Sequence, residues 1–553
     1  EGADVVELNG NVISFTGTAG QVILKAFNEG DAVYYPASNE IKFQVVDLSI
    51  VYPTLSTRLT DAVPLEKLAE GVYPIYIKSS IAEANFLDIA SVSVTVDGQD
   101  IDVVEQDNHY VGLWTLDGTG SFNVLIEAEG SNGNITAWEK TIEVVDDATT
   151  QTVQAMDAVL VNFPNPGRTI TIDTVLPQFL GAYNKVTAYL DVNCPNINGG
   201  CDDWDRKGYF EIQRPDGQWV EFIRYITPYG VGCDHVADVT DFMDLLQGEI
   251  KLRVFIDTWG TGGWEFNLSL EYEQGEPDFL YRSLTKVWDK NNAPFGNIAN
   301  LQPMETVEIT LSDYVESSKL RLVTTGHGWG ANNTGNAAEF YHAVHNIAVD
   351  GVNTFEQDLW NTCDPNPDGC TGQQGTWWYN RAGWCPGTIA PPFEYNLDDA
   401  IAGNTFTLDY IFQTTYMDLC SPNNPDCVSG VTCPDCSDGY NPHYYVDGYL
   451  IKYSDTYINE SSNITQDILP ESEFALSPNP VHDILTLSTT STAGYARFLI
   501  IDVHGKIIQS REVDAMALYG GRVEMPVYDL GAGTYFVRIF TKEGSQTKKF
   551  IKH

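Results

Sequence analysis

Short strand-like runs separated by turn residues extend along nearly the whole chain. Residues 92–96, 186–192 and 252–257 are examples, rich in β-branched and aromatic side chains. No long amphipathic helical pattern separates such runs. Because 553 residues are too many for a single core, several domains are expected. The sequence therefore predicts an all-β protein built from several modules.

The charge of the chain excludes some partners and divides the sequence. A formal net charge of −46 would repel phosphate groups, so nucleic acid is not an expected partner. No apolar run approaches the ~20 residues that span a bilayer, so no transmembrane segment is expected. Residues 471–553 hold nine basic and nine acidic side chains, against 21 and 67 in the remainder. The tail is therefore predicted to be a separate module.

Cysteine usage indicates an oxidising compartment. Ten cysteines are present, several of them in short loops. The chain begins at Glu1 without a basic and apolar leader, which is typical of a mature secreted form. We expect a secreted or cell-surface monomer.

The stretch 193–206 concentrates polar chemistry in one loop. Two cysteines bracket turn-forming residues, and three carboxylates follow with an indole and a guanidinium among them. These residues are Cys194, Cys201, Asp202, Asp203, Trp204, Asp205 and Arg206. Composition leaves two interpretations equally open. The loop is either an acidic surface turn or a site for chemistry on a neutral polar ligand.

Seven motifs occur in an order that resembles the peptide N-glycosidase F family, over roughly residues 155–457. They are Cys-Asp-Asp-Trp-Asp-Arg at 201–206, Ile-Thr-Pro-Tyr at 226–229, Asp-Val-Thr-Asp-Phe at 238–242, Asp-Thr-Trp at 257–259, Gly-His-Gly-Trp-Gly at 326–330, Ala-Glu-Phe at 338–340 and Arg-Ala-Gly-Trp-Cys-Pro-Gly at 381–387. The resemblance implies two adjacent jelly-roll β-sandwiches, at 151–277 and 278–457, that form one catalytic unit. It also implies hydrolysis of the amide that joins an asparagine side chain to the first N-acetylglucosamine of an N-glycan. The products would be aspartate and a glycosylamine carrying the intact glycan.

The resemblance implies three catalytic carboxylates. Asp205 matches the essential one and is assigned the principal acid/base role, since a water must be deprotonated and a leaving nitrogen protonated. Glu339 matches a carboxylate that the family uses to hold a water. Asp257 stands where the family has Glu, and the shorter side chain moves its carboxylate by ~1 Å.

Further residues are assigned by resemblance to substrate binding and to disulfides. The substrate-binding set offers aromatic faces and hydrogen-bonding groups to sugar rings. It comprises Arg206, Trp259, Trp204, Asp202, Ile226, Trp329, Arg381 and Trp384. Cys194 is expected to pair with Cys201, and Cys363 with Cys385. The six other cysteines remain unassigned.

Two departures from the family pattern lead to expectations of their own. The family has cysteines flanking the Glu-aromatic pair, but here these positions are Ala337 and Tyr341, so Glu339 must be held by packing. The family's representative has a His where Ala331 stands. This truncation is expected to make room for a substituent such as core α1,3-fucose.

No cofactor or metal is expected at the site. His342 and His345 lie three apart on a probable strand and would point to opposite faces. The stretch 364–369 echoes the start of a calcium loop but lacks an acidic residue at Gly375, so a plain turn is favoured over structural calcium. Cys433 and Cys436, with Cys420 and Cys427 nearby, would suit a zinc knuckle, but disulfides are favoured in an oxidising compartment.

The remaining segments are interpreted as accessory modules. Residues 1–150 are predicted to form immunoglobulin-like β modules, with no clustered catalytic residue types. Residues 458–472 are polar and are predicted to be a linker. Residues 473–553 resemble the C-terminal sorting domain of the Bacteroidetes type IX secretion pathway, which implies the outer-membrane export machinery as a partner.

A rival interpretation keeps the same scaffold without catalysis. A non-catalytic N-glycan-binding protein would share the double sandwich and carry a degenerate site. Asp257 is the position that favours this rival, whereas Asp205, Glu339 and Trp259 together favour the enzyme. A metalloprotease lacks support, because no His-Glu-x-x-His motif is present.

Overall fold

The structure, a computed structural model, confirms the all-β prediction. It describes residues 5–9, 12–16, 20–28, 37–45, 48–81, 87–106, 108–197, 199–329, 335–401, 405–428, 430–433, 436, 441–458, 474–489, 495–502, 507–514, 522–541 and 544–553. The helices of these residues are short: 3-10 turns at Leu48–Ile50 and Thr240–Phe242, and α1 (Asp398–Ile401). Within the described ranges, no helix has the length and apolar character required to cross a membrane.

One compact unit comprises Glu1–Leu65 and Val72–Val145. The strands from the start of the chain to residue 145 are β1 (Val6–Asn9), β2 (Val12–Phe15), β3 (Gly20–Asn28), β4 (Ala37–Val45), β5 (Thr54–Thr57), β6 (Leu65–Lys67), β7 (Val72–Ser80), β8 (Ile89–Val96), β9 (Gln99–Ile101), β10 (Val103–Gln106), β11 (His109–Thr115), β12 (Gly120–Gly130) and β13 (Ile135–Val145). Two antiparallel sheets run in the orders β10-β11-β7-β5 and β13-β12-β8-β9. Asp97 and Gly98 adopt positive φ between β8 and β9, as an Asp-Gly hairpin turn requires.

The second compact unit contains a first sandwich between residues 151 and 274. The strands in this stretch of the chain are β14 (Gln151–Val161), β15 (Thr169–Leu176), β16 (Gln178–Leu180), β17 (Tyr183–Asn193), β18 (Lys207–Gln213), β19 (Trp219–Ile226), β20 (Cys233–Asp238), β21 (Gly248–Ile256) and β22 (Trp264–Gln274), of which all but β16 belong to the sandwich. One sheet has the order β14-β22-β17-β20, and the other β15-β21-β18-β19, with a later strand at its edge. Alternating apolar side chains of β21 and β22 point into the core between them.

A second sandwich follows in the same unit. Its strands, and one that joins the first sandwich, are β23 (Tyr281–Pro294), β24 (Val307–Thr310), β25 (Ser317–His327), β26 (Ala343–Val349), β27 (Val352–Leu359), β28 (Thr388–Ile389), β29 (Phe393–Asn396), β30 (Thr405–Ile411) and β31 (His443–Ser454). The sheets have the orders β23-β31-β25-β29 and β24-β30-β26-β27. The predicted pair of adjacent sandwiches is therefore confirmed.

The segment between β27 and β29 connects the two sandwiches. It leaves β27 of the second sandwich, and its strand β28 pairs with β19 of the first. We call residues 360–389 the bridging segment. The Cys233–Cys370 disulfide ties it to β20, and Cys363–Cys385 closes it on itself. The bridging segment is therefore fixed to the first sandwich by the Cys233–Cys370 disulfide and by strand pairing, and it continues directly from β27 of the second.

A buried charge also joins the sandwiches. Arg224 on β19 donates from Nη1 to the carbonyl oxygen of Tyr445 at 2.9 Å and from Nη2 to the Glu221 carboxylate at 3.0 Å. The Tyr449 hydroxyl oxygen accepts from the Glu221 backbone N–H at 3.0 Å. Because Arg224 and Glu221 are both buried, their charges are stabilised by each other rather than by water.

The last module lies at the C-terminal end. Its strands are β32 (Phe474–Ser477), β33 (Ile484–Thr489), β34 (Tyr495–Asp502), β35 (Ile507–Asp514), β36 (Arg522–Pro526), β37 (Gly533–Thr541) and β38 (Gly544–Lys552). They form sheets β32-β33-β36 and β35-β34-β37-β38 around a core of their own. Residues 459–472 of the predicted linker lie outside the described residues.

Arg224→Ala should lower the free energy of unfolding by about 3–5 kcal/mol, since it leaves the Glu221 carboxylate buried without its counter-charge. Denaturant unfolding followed by tryptophan fluorescence measures the change. The control is Lys251→Ala, which removes an exposed ion pair with Asp173 and should cost less than about 1 kcal/mol. Equal losses in the two variants would show that the buried pair does not stabilise the contact between sandwiches.

Candidate active site

The loop between β17 and β18 is fixed by its neighbours. We call residues 194–197 and 199–206 the acidic loop. The predicted Cys194–Cys201 disulfide is present at its base, with a Cα–Cα distance of 4.6 Å. At the other end of the loop, Thr227 makes three hydrogen bonds. Its backbone N–H donates to the Arg206 carbonyl oxygen at 2.9 Å. Its Oγ1 accepts from the Arg206 N–H at 2.7 Å and donates to the Trp204 carbonyl oxygen at 3.0 Å. The backbone on both sides of Asp205 is therefore anchored to the end of β19.

Asp205 lies largely out of solvent between a phenol and a guanidinium. The Tyr229 hydroxyl donates to Oδ2 at 2.8 Å, and Arg381 Nη2 lies 3.4 Å from the same oxygen. Burial raises the pKa of Asp205, while Arg381 and Tyr229 act in the opposite direction. Burial also raises the pKa of Tyr229, so its hydroxyl keeps its proton and remains a donor.

Arg381 connects the two predicted catalytic carboxylates. It is fully buried, and its Nε donates to Glu339 Oε1 at 3.2 Å while Nη2 faces Asp205. The rings of Phe340 and Trp384 lie 5.0 and 4.9 Å from its guanidinium carbon. A rigid, packed guanidinium therefore fixes the positions of carboxylates from both sandwiches.

Glu339 lies in the turn between β25 and β26. Its N–H donates to the Gly328 carbonyl oxygen at 3.0 Å, and its own carbonyl oxygen accepts from the Ala382 N–H at 2.9 Å. Next to it, the Tyr341 ring packs against Tyr416 with centroids 5.0 Å apart. With Ala337 and Tyr341 in place of cysteines, backbone hydrogen bonds and the ion pair with Arg381 hold Glu339.

The surroundings of Glu339 also shift its pKa. Burial, followed by the negative charge of Asp205, raises its pKa to about 7, although Arg381 opposes the shift. Two carboxylates that share one cation cannot both ionise freely, so the protons of the pair are coupled. Such a pair can take a proton from water and return one to a leaving group near neutral pH.

The bridging segment brings Arg381 to this position through a close backbone approach. Gly383 has φ +82°, and a Cβ built there would lie 2.1 Å from the Thr324 carbonyl oxygen. Only glycine fits both constraints. The predicted Cys363–Cys385 pairing is confirmed and closes the loop that contains Arg381.

Asp257 and Trp259 form a separate group around Arg168. Asp257 Oδ1 lies 2.6 Å from Arg168 Nη1, and the guanidinium carbon lies 4.4 Å from the Trp259 ring centroid. Phe163 packs against the same indole at 5.1 Å. The catalytic assignment of Asp257 remains a prediction, since its ion pair is with Arg168 rather than Arg381. Arg168 lies outside the seven sequence motifs, so no role was predicted for it.

The assignment of Asp202 to sugar contact remains a prediction, and the structure shows its protein partners. Its side chain is buried, and Oδ2 accepts from Arg206 Nε at 2.9 Å and from Thr258 Oγ1 at 2.7 Å. Asp202 therefore holds the acidic loop together. It also orients Arg206, whose side chain remains partly exposed.

Three further residues of the predicted substrate-binding set are buried, and their assignments remain predictions. Ile226 and Trp384 belong to a small buried cluster with Val323 and Ala390, and Trp384 Nε1 donates to the Gly326 carbonyl oxygen at 2.7 Å. Arg381 is enclosed by protein and serves the carboxylates. In contrast, Trp204, Trp259 and Trp329 are exposed and available to a ligand.

Sequence reasoning missed several residues near the carboxylates. Tyr229 was part of a quoted motif but received no role, and its contact with Asp205 gives it one. Trp377, Trp378 and Tyr379 form an aromatic run just before Arg381 that was visible in the sequence. Ala331, the basis of the fucose expectation, lies outside the described residues.

The residues considered for metal ligation have other partners. His342 and His345 face opposite sides, the first exposed beside Asp358 and the second buried. The oxygens of Asn366 and Asp368 accept hydrogen bonds from backbone N–H groups, which favours the plain turn over calcium. The remaining cysteines form disulfides, Cys420–Cys436 and Cys427–Cys433, as favoured over a zinc knuckle.

Comparisons with known proteins agree with the site. Residues 193–272 match the family model described as Peptide-N-glycosidase F, N terminal, and 295–435 match Peptide-N-glycosidase F, C terminal. The peptide-N(4)-(N-acetyl-β-D-glucosaminyl)asparagine amidase F of Elizabethkingia miricola is 31% identical over 256 residues, which are 43% of this chain and 70% of that protein.

Similar solved structures include PNGase F, a glycosylasparaginase from Flavobacterium meningosepticum, and PNGF-II. The first is 27% identical with a TM-score of 0.49 and covers 56% of this chain and 98% of its own. The second is 15% identical with a TM-score of 0.42 and covers 70% and 92%.

The two family-model matches and the 31% identical relative place this chain among the N-glycan amidases. More specifically, the chain belongs to the peptide-N-glycosidase F family. Residues 475–553 match a secretion system C-terminal sorting domain, so the protein is exported by the type IX pathway across the outer membrane.

Trp384→Phe should lower the free energy of unfolding by about 2 kcal/mol, because it leaves a void and removes the buried donor to Gly326. Trp384 is 2% exposed, whereas Trp259 is 56% exposed. The matched Trp259→Phe change should therefore cost less than about 0.5 kcal/mol. Denaturant unfolding of both variants tests the burial, and a smaller cost at Trp384 than at Trp259 would contradict it.

Proposed function

We propose that this enzyme hydrolyses the amide joining an asparagine side chain to the first N-acetylglucosamine of N-glycans on glycoproteins and glycopeptides. The observation that carries the proposal is the pairing of Asp205 and Glu339 on one buried guanidinium. The 31% identical relative is named for amidase activity at such an asparagine. Two oriented carboxylates suit amide hydrolysis, which needs both a base and an acid.

In the proposed reaction, Asp205 takes a proton from a water whose oxygen attacks the asparagine side-chain carbonyl carbon. Glu339, when ionised, accepts a hydrogen bond from that water and orients it. The carbon–nitrogen bond then breaks, and the proton held by Asp205 passes to the leaving nitrogen. The asparagine becomes aspartate, and the intact glycan leaves as a glycosylamine.

Arg381 and Tyr229 act as positioning residues in this scheme. Both contact Asp205 Oδ2, and Arg381 also contacts Glu339, so the carboxylates cannot turn away from the reacting water. Because the donors are buried and already oriented, little reorganisation is needed when charge moves between the carboxylates.

Sugar binding is assigned to exposed residues of the first sandwich. Trp204 and Trp259 offer aromatic faces, and Arg206 offers donors held by Asp202. Asp257 supports this group through Arg168, which lies against Trp259. Tolerance of core fucose is a finer proposal that depends on the sequence at Ala331 alone.

Asp205→Asn should reduce glycan release at least about 100-fold, since the amide cannot accept the water proton. The measurement is mass spectrometry of a denatured N-glycoprotein, scored for amide-to-acid conversion at asparagine. Asp203→Asn is the matched control, because Asp203 is an exposed neighbour in the same loop and should leave release unchanged. Undiminished release by Asp205→Asn would refute its role, and no release by the wild type would favour the glycan-binding alternative.

The rate should rise with pH through about 7 as Glu339 ionises, because its folded pKa lies near that value and the ionised form holds the water. Glu339→Gln should remove this limb from the pH profile of kcat/KM and also lower its plateau. Steady-state rates on one glycopeptide across the neutral range measure both effects. A limb unchanged in Glu339→Gln would assign the titration to another group.

A further inference from the structure

A continuous row of aromatic side chains begins beside Glu339. We call Trp329, Phe340, Tyr379, Trp378 and Trp377 the aromatic ribbon. Successive ring centroids in that order lie 6.3, 6.2, 5.6 and 6.2 Å apart. Each ring therefore contacts the next.

The ribbon presents much of its surface to solvent. Trp329, Trp378 and Tyr379 are 47, 45 and 51% exposed. Contiguous exposed aromatic surface is unusual on a soluble domain and marks binding sites. A ligand that covers these rings would remove apolar area from water and be bound more tightly for that reason.

The backbone of the ribbon is tied to the carboxylate site. Arg381 Nη1 donates to the Tyr379 carbonyl oxygen at 2.7 Å and lies 3.4 Å from that of Trp377. Phe340 follows Glu339 directly and lies against Arg381. The ribbon therefore starts at the carboxylate pair and is fixed by the same guanidinium.

The ring orientations favour a peptide over a sugar as the ligand. Neighbouring planes meet at 78° for Trp329 with Phe340, 90° for Phe340 with Tyr379 and 87° for Trp377 with Trp378, while Trp378 and Tyr379 are tilted at 49°. Edge-to-face rings leave niches between them rather than the flat face on which a sugar stacks. Side chains of an extended peptide fill such niches.

The substrate has two parts, and the aromatic groups lie in two places. Trp204 and Trp259 come from the first sandwich, which supplies Asp205, whereas Trp329 and Phe340 lie beside Glu339 in the second sandwich. A scissile bond held between the carboxylates has its glycan on one side and its polypeptide on the other. With the first group assigned to the sugars, the ribbon remains for the polypeptide.

We infer that the aromatic ribbon binds the polypeptide next to the glycosylated asparagine and prefers apolar side chains there. This inference rests on the proposed function and names the peptide half of the substrate. The same enzyme would then select among glycosylation sites by flanking sequence, most strongly in unfolded or flexible segments that can lie along the ribbon.

The test varies peptide length and glycan length separately. One series carries a single glycan on a tripeptide, a hexapeptide and a nonapeptide with apolar flanks. The other keeps the nonapeptide and trims the glycan. Trp378→Ala and Tyr379→Ser remove ribbon side chains and keep the backbone acceptor at Tyr379, and Tyr314→Ala removes an exposed aromatic side chain outside the ribbon as a control.

For the nonapeptide, kcat/KM should fall about tenfold in each ribbon variant, through KM, because the loss of one aromatic contact typically weakens binding by about this factor. The loss should shrink as the peptide shortens and stay constant as the glycan is trimmed. A loss that follows glycan length, or one no larger than in Tyr314→Ala, would overturn the inference.

A separate measurement distinguishes this inference from the proposed function. Binding of the unglycosylated nonapeptide to the wild type, followed by tryptophan fluorescence, should weaken about tenfold in Tyr379→Ser. Equal binding by both proteins would overturn the inference. Absence of glycan release by the wild type, with the peptide result as expected, would count against the proposed function only.

Discussion

The buried Arg381 guanidinium is the constraint on which the site depends. It is fully enclosed, and its nitrogens reach Asp205 from the first sandwich and Glu339 from the second. A cation in that position requires both carboxylates, because an unpaired buried charge is strongly destabilising. The carboxylates in turn are held close together despite their mutual repulsion only because the cation lies between them. Each of the three charges therefore stabilises the other two in this position.

This arrangement explains why the chemistry lies at a junction. Neither sandwich alone holds the full set of charges, and the bridging segment supplies the cation between them. The packed contact around Arg224 and Glu221 holds the sandwiches in register at a second point. Rigid support on both sides keeps the geometry that acid/base catalysis requires.

The sequence predicted the all-β fold and the carboxylates because these follow from local patterns. Strand periodicity is a property of neighbouring residues, and Asp205 and Glu339 lie within recognisable motifs. The burial of individual side chains was predicted less well than the fold. Ile226 and Trp384 look like ligand-binding side chains in their motifs, but their exposure is decided by Val323 and Ala390, which are distant in sequence.

Long-range partners were also beyond sequence reasoning. Arg168 pairs with Asp257 across 89 positions, and Cys233 with Cys370 across 137. Nothing near either residue indicates its partner, since contact is created by the order of strands in the sheets. The aromatic run 377–379 was visible, but its alignment with Trp329 and Phe340 emerges only when the bridging segment folds back against the Glu339 turn.

The two disulfides of the bridging segment make the support of Arg381 depend on the redox state of the protein's surroundings. Arg381 lies within the loop closed by Cys363–Cys385, and Cys233–Cys370 secures that loop to the first sandwich. In a reducing cytoplasm neither crosslink forms, and the cation is held by non-covalent contacts alone. An oxidising compartment is therefore needed for the covalent part of the support around Arg381.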